Sequence, residues 1–274
     1  MPDAAKLEAR IAAVPGAQVS LVYRPLVGGR GLDLRGGALV HAASTMKLPV
    51  LIELFRRADA RALSLDQPLL LVNRFQSIAD GSPYSLSPAD DSDTPLYARV
   101  GTQVPIRELG VRMMTRSSNL ATNALIALLG VGRIQATARA LGATTMEVLR
   151  GVEDQKAYDR GLVNRTSARD LAVLLESIES GRAASAASCG AMREILLAQE
   201  SNGEIPAGLP VGTRVAHKTG SITATLHDAA IVYPRGAAPY ILVVLTHGVP
   251  DEQVARALIA DLSRMVYTAH VARR

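Results

Sequence analysis

Strand-like segments stand at both ends of this 274-residue chain, and almost everything between them is patterned as helix. After a short helical opening, "KLEARIAAV", the run "AQVSLVYRPL" has the apolar and β-branched content of a strand, and "GLDLRGGALVHA" reads as a second strand with turn glycines. Near the other end, "TRVAHKTG", "HDAAIVYP" and "YILVVLTHG" are three strand-like runs separated by turns. "PDEQVARALIADLSRMVYTAHV" then closes the chain as an amphipathic helix. Strands so far apart in sequence bury their apolar faces most readily by pairing into one antiparallel sheet. The expected fold is therefore α/β of the α+β kind: a sheet built from both termini, flanked by the terminal helices, beside an all-helical subdomain. Residues 1–60 with 206–274 make the α/β part of this single domain, and 61–205 the helical part. A cleft between two such parts is a natural ligand site.

The middle supplies the helices "PIRELGVRMM", "LATNALIALLG", "GRIQATARALG", "ARDLAVLLESIESG" and "AMREILLAQE". The stretch "DGSPYSLSPADDSDTP" (80–95) is a loop by its Ser, Pro and Asp content. With 48% hydrophobic residues the chain can bury a sizeable core. No apolar run approaches the ~20 residues of a membrane span. The first 25 residues lack the basic start and apolar stretch of a signal peptide. The protein accordingly stays inside the cell, unless a leader has been removed. The net charge of +5 comes from scattered arginines, and aromatics are only 3%, so no basic stripe with stacking residues points to nucleic acid. Cys189 is the only cysteine, which rules out an internal disulfide, and no histidine spacing suggests a metal site. We expect no cofactor, a small-molecule substrate and a monomer.

Lysine is scarce. Only Lys6, Lys47, Lys156 and Lys218 accompany the arginines that make up the rest of the 30 basic residues. Lys47 follows Ser44 by three residues at the start of a strongly helical run, "STMKLPVLIELF", so the two side chains share a face. A serine hydroxyl is a poor nucleophile until a neighbouring base takes its proton, and a lysine with a depressed pKa in a dry cleft can be that base. Pro49 is tolerated if the helix starts near Ser44, which puts the hydroxyl at the helix mouth. A second constellation, "RSSNLATN", offers Ser117 and Asn119 on alternate positions ahead of a helix, either as cleft groups or as a helix cap. A third, "HKTG", sets Lys218, Thr219 and Gly220 on a strand. There an amine and a hydroxyl grip a carboxylate, and glycine lets a substrate lie against the backbone. Chance supplies each of the first two patterns roughly 0.3 times in such a chain and the third only about 0.02 times.

Taken in order, "STMK", "SSN" and "KTG" resemble the motif set of the penicillin-recognising serine enzymes, and the chain length and motif spacing are most similar to the class A β-lactamases. The resemblance implies a β-lactamase/transpeptidase-like fold and an acyl-enzyme on Ser44. It implies Lys47 as proton acceptor, Ser117 as relay to the leaving nitrogen, and Asn119 holding the substrate amide. Lys218 and Thr219 bind the carboxylate, and the amides of Ser44 and Ser221 form the oxyanion hole. Glu153, in "RGVEDQKAYDRGLVNRTSARDL", is the implied base for deacylation. Four departures stand out. Ala157 replaces the asparagine that helps hold the hydrolytic water, the loop is slightly short, Ser118 replaces an aspartate, and no arginine follows Lys-Thr-Gly on the next strand. His227 falls about where that arginine would clamp the carboxylate. The family, whose substrates are β-lactams or peptidoglycan-like molecules, also contains D-alanyl-D-alanine peptidases and esterases that release penicillin slowly; a penicillin- or peptidoglycan-binding sensor module that does not turn over is the alternative from another class. Its lactamases imply a periplasmic or secreted protein if a leader is trimmed, and a cytoplasmic one otherwise.

Overall fold

The computed structural model describes residues 1–272. Strand β1 (Gln18–Pro25) and β2 (Leu32–Leu34) join three strands from the other end, β9 (Arg214–Ile222), β10 (Thr225–Tyr233) and β11 (Tyr240–His247). Their order is β2-β1-β11-β10-β9, with every pairing antiparallel. The two ends of the chain meet where β1 pairs with β11, from Gln18 opposite His247 to Pro25 opposite Tyr240. β11 is buried along seven of its eight residues because both faces of the sheet are covered, which is why it reads as a continuous apolar run rather than an alternating one.

Side chains alternate across the sheet and divide the core in two. Leu21, Tyr23, Val215, Ala230, Val232, Leu242 and Val244 face α1 (Ala4–Ala12) and α9 (Glu252–Val271). Val22, Ala216, Ala229, Ile231, Ile241, Val243 and Leu245 face the helical layer and share one continuous core with it. At the centre of that layer lies α2 (Lys47–Asp59), buried from Lys47 to Phe55 without a break. Sequence position groups α2 with the sheet. In space it is enclosed by α3 (Ile106–Thr115), α4 (Asn119–Leu129), α5 (Val131–Ala140), α7 (Ala168–Glu179) and α8 (Ala186–Leu197). Pro49 is the third residue of α2, where no intrahelical amide bond is lost.

The middle of the chain is not purely helical. Three two-stranded ribbons, β3 (Val40–His41) with β8 (Arg165–Thr166), β4 (Pro68–Leu70) with β7 (Gln103–Pro105) and β5 (Phe75–Gln76) with β6 (Pro83–Tyr84), stitch its loops. Pairs of two or three residues carry no periodicity long enough to read in sequence. The turn α6 (Gln155–Asp159) completes the helices. Among the described residues, no single helix is long and apolar enough to cross a membrane.

Candidate active site

Edge strand β9 crosses the mouth of α2. A 3-10 turn over Ala43–Met46 precedes α2 and carries Ser44, half-buried in the cleft wall. A Cβ built on Gly220 would sit 2.9 Å from the Ser44 amide nitrogen and 3.0 Å from that of Thr45. Only glycine allows strand and turn this close. That approach brings the Ser44 and Ser221 backbones onto the same stretch of cleft, since both residues line the same two cavities of ≈ 420 and ≈ 490 Å³.

Lys47 is fully buried. Its Nζ donates to Ser117 O (2.6 Å), Asn119 Oδ1 (2.8 Å) and Ser117 Oγ (3.2 Å). Lys218, also fully buried, donates to the same Ser117 Oγ at 3.0 Å and to Thr219 O at 2.8 Å. Burial is the main cause lowering the Lys47 pKa well below the ordinary lysine value; Lys218 lowers it further, while Asp91 and Glu153 oppose the shift. Burial likewise brings Lys218 down to about 7, against Asp228 and Glu204. For both lysines the cost of stripping water from an ammonium outweighs these partial neutralisations and favours the free amine.

The two readings of "SSN" both hold, on different residues. Ser118 is the cap: its Oγ accepts from Ala121 N at 3.3 Å at the start of α4. Ser117, held at φ 58, and Asn119 flank it and face the lysines.

Glu153 lies across the cleft on the loop between α5 and α7. It accepts from Asn119 Nδ2 at 3.3 Å, and its backbone is also left-handed, at φ 58. Burial in the cleft, then Asp90, raises its pKa, while Lys47 and Arg150 pull the other way. The neighbouring side chains point elsewhere. Asp154 takes Ser77 Oγ (2.7 Å) and Ile78 N (3.0 Å), and Lys156 reaches Asp80 and Ser82. A reciprocal pair anchors the loop, Val152 N to Asn123 Oδ1 (2.7 Å) and Asn123 Nδ2 to Val152 O (3.0 Å). Gly151 is required here, because a Cβ would sit 2.5 Å from Asn123 Oδ1. At the far end, Ala42 N donates to Asn164 O at 2.9 Å, tying the loop to the turn that carries Ser44.

The structure thus brings together Ser44, Lys47, Ser117, Asn119, Glu153, Lys218, Thr219, Gly220 and Ser221. His227 is not among them. It is fully buried on β10, opposite Gly220 across the ladder, with Nε2 against His41 O (2.9 Å) and Nδ1 accepting from Thr246 N (3.2 Å). Burial lowers its pKa to about 4, and its ring does not line the cleft cavities where a carboxylate would have to meet it. A guanidinium does reach the cleft, from α9. Arg256 lines the same cavity as Thr219 and Ser117 and is held by Glu204 (2.5 Å) and Glu252 (2.5 and 3.0 Å). No motif marks it, because it lies 38 residues beyond Lys218 on a helix whose pattern is otherwise amphipathic. Tyr84 and Tyr97 form a layer behind the cleft, donating to Val152 O (3.3 Å) and Asp91 Oδ2 (3.0 Å).

The profile described as the beta-lactamase enzyme family matches residues 3–270. The chain belongs to that family. Among relatives of this β-lactamase family member, the β-lactamase AST-1 of Nocardia asteroides is 32% identical over 62% of this chain, a match that spans 57% of that enzyme's length. A β-lactamase structure from Sphaerobacter thermophilus superposes with a TM-score of 0.84, 26% identity and 99% coverage of each chain. A variant of PBP-A, described as an acyl-enzyme complex with penicillin G, superposes at 0.83 with 27% identity, covering 98% of this chain and 96% of its own. Among the described residues, no group of three or more His, Cys, Asp or Glu side chains is placed to hold a metal.

Proposed function

We propose that this protein is a serine β-lactamase that opens a cyclic amide through an ester on Ser44 and then hydrolyses that ester with Glu153. The observation that carries the reading is the pair of buried lysines meeting at one hydroxyl, Ser117 Oγ, beside a serine at a helix mouth. Neutral Lys47 takes the Ser44 proton as Oγ bonds to the acyl carbon. The Ser44 and Ser221 amides receive the developing oxyanion; one such donor contributes about 100- to 1,000-fold in rate. The proton passes through Ser117 to the leaving nitrogen as the ring C–N bond breaks. Asn119 holds the substrate side-chain amide, while Lys218, Thr219 and Arg256 take the carboxylate. In the second half, Glu153 removes a proton from water, the hydroxide attacks the ester, and Ser44 leaves with that proton, handed on from Glu153 through Lys47. A carboxylate whose pKa is raised is a stronger base for that step.

One observation favours a slower second half than in a fast lactamase. Ala157, fully buried in α6, has no side-chain amide to help hold the water, so that role falls to Glu153 and the backbone around it. An enzyme limited in this way grades toward a penicillin-binding peptidase or esterase. Mixing the protein with a chromogenic cephalosporin tests the assignment: turnover that disappears in Ser44→Ala supports it, and turnover unaffected by that change rejects it.

A further inference from the structure

The loop at 80–95 does more than cover the helices. Three consecutive residues, Asp91, Ser92 and Asp93, each grip the turn that carries Ser117. Asp91 is buried, and its Oδ2 accepts from Asn119 N (3.0 Å), Leu120 N (2.9 Å) and the Tyr97 hydroxyl (3.0 Å). Ser92 Oγ donates to Arg116 O at 2.5 Å. Asp93, fully buried, pairs with Arg112 Nη1 through both oxygens at 3.0 Å and with Arg116 Nη1 at 3.4 Å. The loop holds its own shape through Asp93 N to Asp91 Oδ1 at 3.0 Å. So the backbone on both sides of Ser117 is tied to one loop, by a carbonyl before it and two amides after it.

We propose that Asp91-Ser92-Asp93 is a clasp that positions Ser117 for proton transfer, with Asp91 and Ser92 as its positioning residues. Ser117 needs such a support because a non-glycine residue at φ 58 is not held there by its own preferences. Ser118 cannot supply it: its Oγ turns inward to Ala121 N, and its carbonyl accepts from Thr122 Oγ1 at 2.6 Å. A carboxylate from a separate loop therefore takes the first two free amides of α4, which would otherwise be left without an intrahelical partner. Released from the clasp, Ser117 relaxes toward an ordinary backbone conformation. Its hydroxyl then leaves the point where Lys47 and Lys218 meet.

The inference rests on Ser117 acting in acylation, and the test separates the two claims. Acylation of Ser44 is followed by single-turnover intact mass with a β-lactam in D91A, S117A and the double variant. S117A alone must slow acylation; if it does not, the proposed role of Ser117 fails, and the clasp proposal with it. Given that, D91A slows acylation by about 100-fold, the scale expected of a displacement near 1 Å. In the S117A background its cost shrinks at least tenfold, because the residue it positions is gone. D91N, which retains an acceptor oxygen, recovers at least tenfold of the rate lost in D91A. A D91A cost that is absent, or that shrinks less than tenfold in S117A, overturns the proposal while leaving the role of Ser117 standing. If D91A does not fold, S92A at the exposed face of the loop runs the same cycle, with about a tenfold loss expected and no loss overturning the clasp.

Discussion

Lys47 and Lys218 converge on one oxygen, with their Nζ atoms 3.2 and 3.0 Å from Ser117 Oγ and both side chains buried. Two ammonium groups this close, out of water, oppose each other's charge, and Lys218 is indeed the second cause, after burial, lowering the Lys47 pKa. The proposed reaction needs them in different states: Lys47 neutral to accept a proton, Lys218 charged to hold a carboxylate.

That requirement sets the pH profile. kcat/KM rises as pH climbs through the lowered Lys47 pKa, because deprotonation creates the base. It falls as pH passes through about 7, where Lys218 in the free enzyme loses its proton. These limbs belong to the coupled pair rather than to either lysine alone. A bound carboxylate keeps Lys218 protonated, so kcat holds to higher pH than kcat/KM does. Steady-state profiles from pH 5 to 10 check this; a kcat/KM that climbs steadily up to pH 10 would mean that Lys47 titrates as an ordinary lysine.

Lys47→Arg keeps a cation but not a base. Arginine does not give up its proton in proteins, so acylation is expected to fall by about 100- to 10,000-fold, the usual share of a general base. Circular dichroism checks that the variant is folded, and intact mass reads the acylation rate.

Gly220→Ala drives a Cβ to 2.9 Å from the Ser44 amide nitrogen and 3.0 Å from that of Thr45. Both contacts are backbone, so the edge strand or the nucleophile turn must shift. The expected cost is about 1–3 kcal/mol of stability from overpacking, with a loss of acylation well beyond what the unfolded fraction explains. Thermal melting and single-turnover acylation on the same sample separate the two.

Arg256→Ala removes the cleft guanidinium while leaving the lysines in place. A lost charge-assisted contact of about 1.5–3 kcal/mol corresponds to roughly a 10- to 150-fold fall in kcat/KM, carried mainly by KM. The loss disappears when the substrate carboxylate is esterified. Kinetics on the acid and the ester form of one substrate provide the check.

Much of this was legible in the sequence, for identifiable reasons. The terminal strands are long, apolar runs, and the antiparallel sheet follows from them. Ser44, Lys47, Ser117, Asn119 and Lys218 lie in short strings whose spacing survives without a structure. What escaped reading depends on contacts distant in the chain. His227 sits near the right sequence position and on the same sheet face as Gly220, but its ring is buried against His41 O, a contact that the sequence does not mark. Arg256 reaches the cleft from a helix 38 residues beyond Lys218. Asp91 takes the first two amides of α4 from 27 residues before Ser118, inside a stretch whose composition says only loop. The short ribbons of the middle segment hold two or three residues a strand, too few for a period.

The central claim is that Ser44 carries an ester that Glu153 clears, and the time course of the acyl-enzyme tests it most directly. Intact mass after adding a β-lactam should show an adduct on Ser44 that forms and decays to free enzyme in the unaltered protein. In Glu153→Gln the adduct should form at a similar rate and persist about 100-fold longer or more, as loss of a general base demands. An adduct that decays equally fast in Glu153→Gln, or no adduct on Ser44 in either protein, would contradict the account.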